Sequence, residues 1–89
     1  MKNPAGVKEF GVHLRRLREA GNLSQQELAD LADLAKKTIQ RIENGMAAAT
    51  NDVMISLARA LGISLKELVD FNLPKEKRKW VGILSWDAL

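Results

Sequence analysis

"LSQQELADLADLAKKTIQRIENG", residues 23–45, holds two helix-sized segments with almost nothing between them. Ser24 precedes a run with helical apolar spacing, and Glu27 stands three residues on. A serine there accepts a bond from the third helical N–H, and the glutamate reaches back to the serine's own N–H. Leu23 and Leu28 sit where a hydrophobic staple closes over that start. The pattern predicts a helix over 25–32. Asp33 and Leu34 interrupt it, and aspartate tolerates left-handed backbone better than most non-glycine residues. A second helix is expected over about 35–44, ended by Asn44-Gly45.

The second segment has two unlike faces. At ~100° per residue, Lys36, Lys37, Gln40, Arg41 and Asn44 share one arc. Ala35, Ile39 and Ile42 lie opposite, and Glu43 falls on the border. A solvated helix face ordinarily mixes signs, because i,i+4 acid–base pairs stabilise it. This arc has three cations, two amides and no acid. Lysine and arginine suit phosphate and guanine, and glutamine or asparagine can be bidentate to adenine. A capped helix, a turn of about three residues and a helix with this face make a helix-turn-helix, whose second helix reads the major groove.

Working outward, the other segments are also helical. Val7, Phe10, Leu14 and Leu17 predict a first helix over about 5–20, stopped at Gly21-Asn22. Thr50 can cap a fourth helix with the stripe Val53, Leu57, Ala60 and Leu61, ended by Gly62. "ISLKEL", 63–68, repeats the staple and capping box of "LSQQEL" and starts a fifth helix to about Phe71, halted by Pro74. His13, the single histidine, is expected on the exposed side of the first helix, without a ligand or base role. The predicted fold class is all-α: a compact five-helix domain over 1–73 with a C-terminal extension over 74–89.

Composition narrows the function. Hydrophobic residues make up 46% of 89, enough for one small core. Cysteine is absent, so disulfides and thiolate metal sites are excluded, which suits a reducing cytoplasm. No apolar run approaches the ~20 residues of a membrane span, and the N-terminus does not read as a signal peptide. The net charge of +3 is modest. Residues 1–74 carry ten Lys or Arg against nine Asp or Glu, so any nucleic-acid signal must come from local clustering. No Cys/His metal spacing, phosphate-cradling glycine loop or nucleophile elbow is present, so no enzyme, cofactor or metal is expected.

The stretches "LRRLREAGNLSQQELADLADL", "TIQRIENG" and "LARALGISLKEL" resemble the Cro/repressor-type, or XRE-like, helix-turn-helix family over residues 7–71. The resemblance implies a lambda repressor-like five-helix domain that binds double-stranded operator DNA, generally as a two-fold homodimer. It implies that Gln25 contacts a phosphate, and that Lys36, Lys37, Gln40 and Arg41 face base edges or flanking phosphates. Thr38 would add a phosphate or methyl contact, and Asn44 a backbone contact after the reading helix. Arg18 would pair structurally with Glu43, while Arg15 and Arg16 read as solvated. The sequence departs from the family twice. Asp33 stands where glycine is frequent, at a cost of ~1 kcal/mol. "MAAAT", 46–50, replaces the basic or amide residues of relatives, which implies weaker non-specific affinity and a shallower salt dependence.

"KEKRKWVGILSWDAL", 75–89, lies beyond the resemblance and holds both tryptophans. It can fold back on the chain's own core, contact a subunit or protein partner, or stay disordered; the basic segment 75–79 is a solvated linker or an extra phosphate contact. The expected dimer surface is the fifth helix with its flanks, Leu65, Leu68, Val69 and Phe71, joined by Trp80 and Trp86. Three function classes fit. The first is a cytoplasmic transcriptional regulator, more readily a repressor than an activator. The second is an antitoxin that binds its own promoter while its tail covers a toxin. The third is an interaction module without DNA binding.

Overall fold

The computed structural model describes residues 4–71, all of whose regular elements are helices: α1 Pro4–Ala20, α2 Gln25–Ala32, α3 Lys36–Glu43, α4 Asn51–Leu61 and α5 Leu65–Leu68. Local chemistry sets nearly every boundary. Ser24 Oγ accepts from Glu27 N–H at 3.0 Å, and Glu27 Oε1 accepts from Ser24 N–H at 2.8 Å. Ser64 and Glu67 repeat this box ahead of α5, and Thr50 Oγ1 accepts from Val53 N–H at 3.3 Å ahead of α4. Such caps stabilise a helix start by about 1 kcal/mol each. At the other ends, Asn22 and Asp33 take φ 58°, and Gly45 and Gly62 take φ 73° and 70°. Each left-handed residue lets the next N–H bond back to the helix, as Leu34 N–H does to Ala29 O at 2.8 Å.

The apolar stripes then meet. Leu14, Leu28, Ile39, Ile42, Leu57 and Leu68 are completely enclosed, with Phe10, Ala29, Ala32 and Ala58 around them. Each such large side chain contributes about 1.5–3 kcal/mol by leaving water. Helix α3 packs on α1 and α2, α2 also packs on α4, and α5 closes against α4 and α1. Among the described residues no helix is long and apolar enough to cross a membrane.

Four expectations need correction. Helix α5 ends at Leu68 rather than Phe71, because Val69, at φ −102° and ψ 6°, caps it. Leu68 is wholly buried in this chain's own core, so it cannot serve a dimer surface; Leu65 and Val69 stay exposed, and Phe71 is half-buried. Ala35 is not on the buried face of α3. It is the extended N-cap residue and is exposed. His13 is half-buried rather than exposed. Its Nε2 lies 3.0 Å from the Glu67 carbonyl, so that nitrogen must donate, and its ring sits 5.6 Å from the Phe71 ring. Trp80, Trp86 and the rest of 74–89 lie outside the described residues.

Gly11 was not singled out by any local signal, yet the backbone of α3 lies directly against it. A Cβ added there would stand 2.2 Å from the Ile42 carbonyl oxygen and 2.9 Å from that of Glu43. Gly11→Ala therefore tests the packing by sign. In an isolated helix the change would gain ~1 kcal/mol. Here overpacking should reverse it, destabilising by about 1–3 kcal/mol, visible as a lower urea midpoint.

Candidate nucleic-acid interface

Helix α3 is eight residues long, too short to persist alone. Its inner face, Ile39 and Ile42, is buried, and its outer face presents Lys36, Lys37, Gln40 and Arg41 to solvent, with Thr38 half-buried. None of those three cations makes an ion pair among the described residues, where the pairs are Arg15–Glu19 and Arg18–Glu43.

The charges at the start of α3 oppose its own dipole. Its first turn holds two lysines and no acid. Cations at a helix N-terminus are unfavourable by about 0.3–1 kcal/mol each. No side chain caps that end, because the N-cap is Ala35. Thr38 N–H bonds back to the Ala35 carbonyl at 3.0 Å, while no side chain of the N-cap meets the N–H groups of Lys36 and Lys37. At the other end Arg41 suits the dipole, but Glu43, an acid, is the last helical residue.

Glu43 is held there by α1 and α2. Arg18 Nε donates to Oε2 at 2.6 Å and Arg18 Nη2 donates to Oε1 at 3.1 Å, a two-pronged bond inside the fold. Arg18 Nη1 donates to the Leu23 carbonyl at 2.8 Å, which ties in the α1–α2 turn. Gln25 Nε2 donates to Glu43 Oε1 at 3.0 Å. Arg18 and Glu43 are 9% and 8% exposed, and no buried side-chain N or O among the described residues lacks a partner. The hydrogen bond to Glu43 is the main cause that raises the Arg18 pKa above its ordinary value. A raised basic pKa contributes stability below the unfolded value and loses it only as pH climbs through the folded one. The Arg18 side of the pair therefore holds across neutral pH.

These bonds fix Gln25 beside α3. An amide nitrogen has two hydrogens, and Glu43 takes one of them. A polar cleft of about 560 Å³ lies here, lined by Gln25, Lys36 and Asn44 together with Arg15, Arg18, Ser24, Gln26 and Glu43. Three of the expected contact residues thus share one cleft. Lys37, Thr38, Gln40 and Arg41 do not line it and lie along the outer face of α3. Arg15 and Gln26 were missed as members. Arg15 is three residues before Arg18, one turn along α1, and that spacing was the available signal. No residue of the 46–50 loop lines this cleft.

A helix-turn-helix family model matches residues 14–68. A protein of Methanothermobacter thermautotrophicus that carries the name HTH-type transcriptional regulatory protein is 42% identical over 65 residues, 72% of this chain and 21% of that one. This chain therefore spans about a fifth of that relative's length. The control protein C.BamHI of Bacillus amyloliquefaciens is 36% identical over 64 residues, 71% of this chain and 79% of the relative. The crystal structure of the restriction-modification controller protein C.AhdI from Aeromonas hydrophila superposes with a TM-score of 0.68 at 37% identity, covering 70% of this chain and 94% of that one.

The Arg18–Glu43 geometry carries a stability test. Glu43→Ala leaves a buried guanidinium unpaired and should cost about 3–5 kcal/mol in urea unfolding. Replacing both partners, Arg18→Met with Glu43→Leu, should cost clearly less than the single change. A double-variant loss equal to the sum of the two single-variant losses would mean that the pair is not coupled.

Proposed function

The chain belongs to the helix-turn-helix family, and from that premise we propose that it is a sequence-specific DNA-binding transcriptional regulator of the controller type. The observation that carries this reading is the unpaired cationic face of α3, built on a helix whose N-terminal charges are unfavourable unless an anion meets them. Local rules are broken at a site where function compensates. The controller names of the two relatives at 36% and 37% identity favour the same role. The longer archaeal relative supports the domain, not a whole-protein activity.

In this reading α3 enters the major groove of double-stranded DNA. Lys36, Lys37, Gln40 and Arg41 contact base edges. Gln25, Thr38 and Asn44 contact phosphates and set the register, which by itself carries no sequence information. The unit acts as a homodimer with half-sites about 34 Å apart, so its operator is a near-palindrome. The self-association surface is the exposed side of α5, Leu65 and Val69, flanked by Phe71. Residues 1–73 form the DNA-binding unit and 74–89 an accessory segment. The chain works in the cytoplasm and represses by occluding polymerase.

Selection from random duplex DNA tests this directly. It should return a two-fold symmetric site with one helical turn between half-site centres. Lys36→Ala with Gln40→Ala should then lose ~2 kcal/mol or more of discrimination, given ~1–3 kcal/mol per bidentate base contact. Helicity should be kept. Unchanged sequence preference in that double variant would remove α3 from the reading role.

A further inference from the structure

Away from the cleft, a groove of about 380 Å³ opens between the start of α1, the loop after α3 and the end of α5. Val7, Phe10, Ala48, Ala49, Val69 and Phe71 line it, with no charged side chain among them. Val69 is 42% exposed. Two of the alanines that leave the 46–50 loop without phosphate contacts therefore shape this groove, their small side chains leaving room for something large.

We propose that the chain's own segment Trp80–Trp86 occupies this groove in cis. Phe71, where the described residues end, is itself part of the groove wall, so the following residues start at its edge. Eight residues, 72–79, separate the wall from Trp80. At up to ~3.3 Å each they reach roughly 26 Å, which allows the chain to turn out and return. Chemistry matches on both sides. "WVGILSW", 80–86, is uncharged, and its five large apolar side chains would otherwise make an exposed patch of the kind that drives association. "KEKRK" on one side and Asp87 on the other place charge outside the contact. Val69 borders both the groove and the exposed side of α5. A seated segment therefore extends the surface that a second copy would meet.

The protein has two tryptophans, both in this segment, so indole emission of the full chain reports on it alone. The wild type should emit as a buried indole and resist acrylamide. Both properties should stay constant on dilution through any dimer–monomer transition followed by sedimentation. Ala48→Arg and Val69→Asp, both at exposed positions, should each shift emission to the red and raise quenching several-fold at unchanged far-UV helicity. Solvent-like emission of the wild type would overturn the proposal, as would indifference to both variants. Buried emission lost in step with dissociation would assign the groove to a second copy's segment and overturn docking in cis. None of these readouts involves DNA, so they stand or fall apart from the regulator reading.

Discussion

The buried pair of Arg18 and Glu43 is the interaction on which the rest of this small domain depends. It joins α1 to the C-terminal end of α3, and through Leu23 and Gln25 it also holds the turn and the start of α2. A charge pair out of water gives little net stability unless its remaining hydrogen-bonding capacity is met. Here it is met on both sides. The bonds require Glu43 to sit within reach of Arg18 and Gln25 together, and this arrangement of α3 against α1 and α2 supplies that.

That arrangement matters because α3 is poor as an isolated helix. It is short, lacks a side-chain cap, begins with two lysines and ends with a glutamate. Three external supports keep it in place. Ile39 and Ile42 bury its inner face. Arg18 neutralises its acidic end. Gly11 lets α1 approach the Ile42 and Glu43 carbonyls more closely than any side chain would permit. Gly11 and Arg18 are seven residues apart, two turns along one face of α1, so both act on the same end of α3. The outer, N-terminal end is then free to carry the charges that suit a polyanion rather than its own dipole.

The opposite side of α1 follows a different logic. His13 donates to the Glu67 carbonyl and lies against Phe71, which also meets Phe10 with ring centroids 5.9 Å apart. These contacts seat the one-turn α5 and the residues after it. Polar recognition and apolar closure are thus kept on separate faces of one helix.

Much of this was legible in the sequence because the signals act over a few residues. Capping boxes at Ser24 and Ser64, the left-handed stop at Asp33, and the 3.6-residue stripes are set by bonds that span about one turn. The boundaries of α2 and the division of α3 into two faces followed from them. The short end of α5, the half-burial of His13, the exposure of Ala35, the place of Leu68 in the core and the entry of Arg15 into the cleft did not. Each depends on which helix lies opposite at a few ångströms, and the local pattern is the same whether a neighbour is there or not. Gly11 makes the point most sharply: within its own helix it reads as a weak residue. Only when α3 is packed across it does the missing Cβ become the condition for contact.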